Sequence, residues 1–225
     1  MPNIAIAGGS QGLGSAIVAE IEALGRGTPF ILSRAAREDD PRYLAVDYDD
    51  IANIQTVLEK NDIHTLISAL GLENGGGQAQ LNLIEGAELA SPTKRFIPSE
   101  FGPVYTERHA SALPSALFKL TAATRFSASK TLSYTLVLCR CGLICKAISL
   151  FSPVTDGKDP IVVTHTSDIA RNVAALLVFP IWEKRYSLIG NRVSIGKIVS
   201  IAEEVKGVAF EKVYQDRETL ARGGD

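Results

Sequence analysis

The glycines near the start of the chain are the residues whose type and spacing most directly suggest chemistry. Four of them stand within positions 8–14, after an apolar run and before a helical pattern. Such a turn brings backbone N–H groups against a phosphate at the positive end of the helix dipole. We therefore expect it to bind the pyrophosphate of a dinucleotide, the alternative being a tight turn without a ligand. The expected binding residues are Gly8, Ser10, Gln11, Gly12, Leu13 and Gly14.

The end of the second predicted strand indicates which dinucleotide is bound. An acidic residue there binds the 2′-hydroxyl of NAD, whereas an arginine accommodates the 2′-phosphate of NADP. Ser33, Arg34 and Arg37 occupy this stretch, and no acidic residue occurs before Glu38. The sequence therefore favours NADP, with NADPH as its reduced form. The alternative is that the two arginines are simply solvated and bind no phosphate. Asp47 is expected either beside the adenine or as the cap of the helix that starts near residue 50.

The ends of two further strands complete the predicted cofactor site. The small residues of "SALG" would let the cofactor backbone pass closely, or they are simple packing. The fourth strand ends in "PSEFG", at the edge that faces the nicotinamide in such folds. There Glu100 is expected to hold the loop rather than to do chemistry. The residues assigned to the cofactor at these two strand ends are Ala69, Leu70, Gly71, Ser99 and Phe101.

These residues need a framework of alternating strands and helices. The connections between successive strands are too long for hairpins, so we expect the strands to be parallel and joined by right-handed helical crossovers. The strands are almost continuously apolar, as expected when helices cover both faces of the sheet. The fold class is therefore α/β, a doubly wound parallel sheet of Rossmann type. The predicted strands are 3–8, 29–34, 64–70, 94–100 and 133–139, and the predicted helices are 12–25, 49–60, 79–90 and 113–129.

Several local expectations accompany this framework. Residues 72–78 are expected to form a flexible loop. Ile17, Ile21 and Leu24 should share one face of the first helix, and Leu113, Leu117 and Leu120 one stripe of the fourth.

After about residue 150 the alternation loosens. Strands are predicted over 160–165 and 185–190, a helix over 166–179 begun by Ser167 or Asp168, and a helix over 194–207 capped by Ser194. We expect residues 1–150 to form the NAD(P)-binding domain and residues 151–225 a small substrate-binding lobe whose helices return to the sheet.

Composition excludes several classes of protein. Of 225 residues, 46% are apolar and 21% charged, which argues against disorder. A net charge of −2 gives no general attraction to nucleic acid or to an anionic membrane. The longest apolar stretch is interrupted by Arg140 and Lys146, so no membrane span is expected, and the N-terminus shows no signal-peptide pattern.

The positions of the cysteines and histidines indicate neither a disulfide framework nor a metal site. Cys139, Cys141 and Cys145 lie within seven residues and are interpreted as buried thiols of a reducing, cytoplasmic protein. His64, His109 and His165 are scattered without metal-ligand spacing, so no metal is expected.

Seven stretches, in this order, resemble the NmrA-like and isoflavone-reductase-like branch of the atypical short-chain dehydrogenases, from about residue 3 to 215. "RFIPSEFG" is the most specific of them and the glycine turn the least. The resemblance implies a Rossmann domain that binds NADPH, and Lys119 as the catalytic acid–base group. The stretches are "IAIAGGSQGLG", "ILSR", "VDYDD", "LISALG", "KRFIPSEFG", "SYT" and "THTSDIARNVAALL".

The residues agree in part with that role for Lys119. No tyrosine has a lysine four positions later, so the common Tyr-x-x-x-Lys pair is absent. Lys119 is expected beside the leucine stripe, on a helix that faces the sheet. A cationic nicotinamide or an apolar pocket would lower its pKa toward neutrality, as acid–base work requires. The alternative is a solvated helix lysine.

These observations predict an NADPH-dependent reductase of a small aromatic or polyketide-like metabolite. Two alternatives are a redox-sensing NADP-binding regulator without turnover and a redox-neutral isomerase or cyclase. Three departures from the family stand out: Gln11 replaces a usual glycine, with Gly12 as a compensating residue, the segment Leu150 to Ile161 is short, and the chain ends early at "RETLARGGD". The last two indicate a reduced pocket or missing residues, which put turnover in doubt more than cofactor binding. A small-molecule substrate is expected, with a homodimer or a protein partner left open.

Overall fold

The computed structural model describes residues 1–111, 113–139, 142–143 and 160–211. Several residues singled out above lie outside these ranges: Arg140, Cys141, Cys145, Lys146, most of the segment 150–161, and the C-terminal stretch from Arg217.

A six-stranded, wholly parallel sheet forms the centre of the molecule, which confirms the predicted fold class. The strand order is β3-β2-β1-β4-β5-β6. This order reverses between β1 and β4, and ligands of such sheets bind at the carboxyl ends of the strands beside that reversal. The strands are β1 (Asn3–Ala7), β2 (Thr28–Ser33), β3 (Tyr43–Ala45), β4 (Ile63–Ser68), β5 (Arg95–Ile97) and β6 (Ser133–Tyr134).

Helices cover both faces of this sheet and bury two apolar clusters against it. One cluster includes Ile54, Leu83 and Phe126, and the other includes Ile17 and Val173. The helices are α1 (Gly12–Ala23), α2 (Ile51–Lys60), α3 (Gly76–Leu89), α4 (Glu107–Ala110), α5 (Pro114–Ala128), α6 (Thr166–Leu176) and α7 (Ile195–Lys206).

Helix α5 presents a different face to the sheet from the predicted one. Leu113 and Leu117 are 43% and 53% exposed, so the leucine stripe is not the buried face. The buried residues are Ala116, Ala122 and Phe126, and the Phe126 ring stacks at 4.7 Å on Tyr134. Small alanines let the helix approach closely, which apolar periodicity alone did not reveal.

Lys119 follows Ala116 by three residues, so it lies toward the buried side of α5, next to the half-buried Leu120 and away from the exposed Leu117. A similar but smaller correction applies to α1, where Ile17 and Ile21 are buried and Leu24 is 39% exposed.

Several boundaries also differ from the predictions. Helix α3 begins at Gly76, inside the expected loop 72–78, and neither β3 nor α4 was predicted. Helix α6 is capped by His165, whose Nδ1 accepts from the Ser167 N–H, so the expected caps Ser167 and Asp168 were wrong. Ser194 does cap α7, accepting from the Lys197 N–H at 3.2 Å.

The predicted strand 133–139 divides into two pieces that belong to different sheets. Strand β7 (Leu136–Cys139) pairs in parallel with β10 (Arg185–Leu188) instead of continuing β6. A further sheet has the order β11-β9-β8, formed by Asn191–Ser194, Pro160–His165 and Gly142–Leu143. Residues after position 160 thus contact the central unit through β10 and α6, and the domain boundary near residue 150 stays a prediction.

Within the part of the chain that the structure describes, no helix is long and apolar enough to cross a membrane.

Substituting Gly14 by alanine tests the packing of α1 on the turn before it. A Cβ at position 14 would lie 2.1 Å from the carbonyl oxygen of Gly8, so backbone must move. We expect Gly14→Ala to lower the free energy of unfolding in urea by about 3 kcal/mol or more. Gly12→Ala is the matched control, because φ there is +57° but no atom lies within 4 Å. Its loss should be about 1–2 kcal/mol, and equal losses in the two variants would contradict the packing argument.

Candidate functional site

The glycine turn lies directly against the end of β4. Gly8 has φ of +80°, and a Cβ there would lie 2.8 Å from the Ala69 carbonyl oxygen. The Ala69 N–H in turn donates to the Ala7 carbonyl at 2.8 Å. The structure therefore brings the predicted phosphate-binding residues together with the small residues at the end of β4.

The N-terminus of α1 is open at this turn. Ser10, Gln11 and Gly12 are exposed, and Gln11 at the N-cap makes no side-chain capping hydrogen bond. The first N–H groups of a helix lack partners within the helix, so an uncapped and exposed end is suited to an anion.

A cleft of about 540 Å³ lies beyond the end of β2. It brings together Arg34 and Asp47, as expected for the adenosine end of a dinucleotide. Helix α2 is capped by Asp50, which accepts from the Asn53 N–H, so Asp47 is not the cap. The cleft is lined by Arg34, Ala45, Val46, Asp47, Tyr48, Asp49, Asn53, Asn74, Gly75 and Ala79.

Two other predicted residues lie apart from this cleft. The Arg37 guanidinium stacks on the Tyr43 ring at 3.9 Å, and the Ser33 hydroxyl bonds the Ala35 carbonyl. Arg34 is thus the arginine that the structure places at the cleft. Tyr48, which sequence reasoning missed, donates to the Leu32 carbonyl at 3.0 Å, and burial raises its pKa well above the usual range.

The loop "PSEFG" is held to its surroundings by several hydrogen bonds. The Ser99 hydroxyl donates to the Leu70 carbonyl at 2.8 Å, and the Ser99 N–H donates to Gln80 Oε1 at 2.7 Å. The Gly102 carbonyl accepts from the Cys139 N–H at 3.1 Å. Phe101 has φ of +21°, an uncommon value for a residue with a side chain. The loop is therefore fixed to β4, α3 and β7 in a strained conformation.

Lys119 reaches this loop from α5. Its Nζ donates to the backbone carbonyl of Glu100 at 2.6 Å and lies 5.0 Å from the centre of the Tyr105 ring. Burial lowers the pKa of Lys119, and the nearby charge of Glu100 opposes that effect. A half-buried amine of lowered pKa is suited to proton transfer, so the solvated-lysine interpretation does not describe this residue.

A cavity of about 50 Å³ lies beside the ammonium group. A space of this size holds one small polar group of a ligand. Sequence reasoning missed Tyr105 and Arg185 here, because they come from a loop and from a strand of the later sheet. The wall consists of Glu100, Val104, Tyr105, Lys119, Leu120, Ala123, Leu136, Leu138 and Arg185.

The histidines have structural surroundings. His109 completes a capping box with Thr106 at the start of α4, and His165 caps α6. Among residues 1–111, 113–139, 142–143 and 160–211, no group of three or more potential metal ligands occurs.

Comparison with known proteins identifies the family. Oxidoreductase BOA1 of Botryotinia fuckeliana (strain B05.10) is 33% identical over 230 residues, which cover 92% of this chain and 77% of the relative. The chain belongs to the NmrA-like and isoflavone-reductase-like family of atypical short-chain dehydrogenases. Oxidoreductase swnN of Metarhizium robertsii is also similar, at 26% identity over 98% of this chain and 78% of the relative. These relatives confirm the expectation of an oxidoreductase.

Solved structures of other proteins share the fold. AtPrR2 with NADP+ and (+)-pinoresinol superimposes with a TM-score of 0.76 at 21% identity, over 96% of this chain and 79% of that one. The complex of leucoanthocyanidin reductase with NADPH from Vitis vinifera gives 0.76 at 18% identity, over 98% and 79%. Both contain the dinucleotide expected from the sequence. No model of a known protein family matches the chain.

Gly102→Ala tests how closely the loop and Lys119 pack. A Cβ at position 102 would lie 3.2 Å from Lys119 Nζ and 3.0 Å from the Glu100 carbonyl oxygen. We expect a loss of about 1–3 kcal/mol in the free energy of unfolding, because the ammonium group must shift from its acceptor. Gly71→Ala is the control, since its Cβ would meet only the Glu73 carboxylate at 3.8 Å. A loss no larger than that of the control would show that the contact is loose.

Proposed function

We propose that this oxidoreductase uses NADPH to reduce a small aromatic or polyketide-like metabolite. The observation that carries the proposal is Lys119, half-buried and held at 2.6 Å by the "PSEFG" loop that follows β5 at the carboxyl edge of the sheet. The relatives named oxidoreductases and the neighbours with bound NADP+ or NADPH support the same conclusion.

The proposal places the dinucleotide along the carboxyl edge of the sheet. The open end of α1 would bind the pyrophosphate, and the cleft beside Arg34 and Asp47 would hold the adenosine end. A side chain at Gly8 would clash with the Ala69 carbonyl, so the turn and the end of β4 form one surface. This fit between the residues present and NADPH supports the proposed cofactor.

The protein's part in the reaction is to orient the substrate and to move a proton. NADPH supplies a hydride when bound. The ammonium group of Lys119 donates a proton to the substrate oxygen next to the reduced carbon, and water then restores the proton on the amine. Tyr105, Leu120, Leu136 and Leu138 line the cavity beside Lys119 with apolar and aromatic surface. A cavity of about 50 Å³ would take the oxygen-bearing end of a substrate, not a whole aromatic ring.

Replacing Lys119 tests its catalytic role. We expect Lys119→Ala to reduce kcat by about 100-fold or more, the usual scale of acid–base catalysis, and to leave NADPH affinity nearly unchanged. NADPH oxidation with a panel of aromatic and enone substrates measures the rate, and calorimetry measures the affinity. Lys130→Ala is the control, because Lys130 is exposed beyond the end of α5.

Unchanged turnover in the Lys119 variant would remove this residue from the mechanism. NADPH binding without turnover of any substrate by the wild-type protein would instead favour a redox-sensing regulator.

Replacing Arg34 tests the preference for the 2′-phosphate. We expect Arg34→Asp to weaken NADPH binding by about 10- to 100-fold and to leave NADH binding the same or stronger, because a charged hydrogen bond is replaced by repulsion. Arg37→Asp is the matched control, since Arg37 stacks on Tyr43 away from the cleft, and its effect should be smaller. If Arg34→Asp preferred NADPH by the original margin, the 2′-phosphate could not lie beside Arg34.

A further inference from the structure

The carboxyl group of Glu100 is buried, with 7% of the residue exposed. Lys119 lies on α5 and Arg185 on β10, and the positive charge of each favours the ionised form of this carboxyl group. All three side chains line the same cavity. Three charged groups from separate parts of the chain therefore meet at the place where the proposed proton transfer occurs.

Holding the loop does not require this carboxyl group. The hydrogen bonds that fix "PSEFG" come from Ser99, from the Gly102 carbonyl and from the Glu100 main chain, whose N–H donates to the Pro98 carbonyl at 2.8 Å. None of these bonds uses the Glu100 side chain. The expectation that Glu100 serves the loop through backbone bonds therefore accounts for its main chain and leaves its buried carboxyl group unexplained.

Burial acts against the charge of both partners. It raises the pKa of Glu100 and lowers that of Lys119, and the attraction between the two opposes both effects. Buried charges persist in proteins when they are paired. Arg185, which is exposed on its strand, adds a second positive charge that favours the ionised carboxylate.

We propose that the carboxylate of Glu100 is a positioning residue that keeps the ammonium group of Lys119 protonated and directed toward the cavity. This role rests on the proposed function, in which Lys119 is the proton donor. The backbone carbonyl of the same residue accepts from Lys119, so one residue would orient the ammonium group with its main chain and balance its charge with its side chain.

Other groups also face Lys119 and must be considered in any test. Glu73, in the loop after β4, and Cys139, on β7, both favour the protonated amine, and the Tyr105 ring lies over it. Glu73 is exposed, so water and salt screen its charge more than that of Glu100.

The direct test is to titrate Lys119 in the wild-type protein and in Glu100→Gln, which keeps the volume and removes the charge. Reductive methylation with isotope-labelled formaldehyde makes each lysine visible by NMR, and the Lys119→Arg spectrum assigns the signal. We expect the midpoint for Lys119 to move to lower pH by about 1 or more in Glu100→Gln, because an opposite charge is lost nearby. In Glu100→Asp, which keeps the charge, the midpoint for Lys119 should return most of the way to its wild-type value. Glu107→Gln, at an exposed position on α4, should leave the midpoint unchanged.

The pH profile of turnover gives a second readout. The alkaline limb of kcat should move to lower pH by the same amount in Glu100→Gln, because the proton donor loses its proton earlier. An unchanged Lys119 midpoint in a folded Glu100→Gln protein would overturn the inference, as would a midpoint in Glu100→Asp equal to that in Glu100→Gln.

The two proposals can fail separately. If Lys119→Ala turns over substrate normally, the proposed catalytic role of Lys119 is wrong, whereas the NMR titration still decides whether Glu100 sets its proton affinity. If Lys119→Ala is inactive and the titration does not respond to Glu100, only the role of Glu100 is wrong.

Discussion

The rest of the structure depends on one constraint at the carboxyl edge of the sheet. There the glycine turn after β1 is in close backbone contact with α1 and with the end of β4. The turn after β1 packs on its own helix through Gly14 and on the end of β4 through Gly8, and any side chain at either position would overlap a carbonyl. The turn therefore lies in close contact with both its own helix and the end of β4. That position leaves the start of α1 open to solvent, and an open helix end with unpaired N–H groups is suited to a phosphate.

The same edge positions the chemically active side chain. The end of β4 holds the "PSEFG" loop through the bond from Ser99 to the Leu70 carbonyl, and this loop provides the carbonyl that accepts from Lys119. The proposed anchor for the cofactor and the proposed proton donor are thus connected through β4 and a single strained loop. A reductase needs these two groups at a fixed separation, because hydride and proton must reach neighbouring atoms of one substrate.

Most of the framework could be predicted from the sequence, because buried parallel strands and glycine turns leave strong local patterns. The face of α5 could not be predicted in the same way. Leucine is the more apolar residue, but Ala116 and Ala122 allow the close approach, and Lys119 is half-buried because it shares their face. The spacing Ala-x-x-Lys-x-x-Ala over residues 116–122, followed by Phe126, indicates this face when small residues are counted as packing residues.

Other parts of the site depend on contacts between distant segments. Arg185 reaches the cavity only because β10 pairs with β7, and Tyr105 because the loop before α4 lies over Lys119. The roles of Arg34 and Arg37 also looked equivalent in the sequence. They differ because Tyr43, on a short strand that was not predicted, provides a stacking partner for one of them.

A crystal structure of the protein with NADP+ bound tests the account most directly. We expect the pyrophosphate to contact backbone N–H groups of residues 10–14, the 2′-phosphate to lie beside Arg34, and the nicotinamide to face the cavity that contains Lys119. A dinucleotide bound away from the glycine turn, or a nicotinamide on the opposite side of the sheet edge from Lys119, would contradict it.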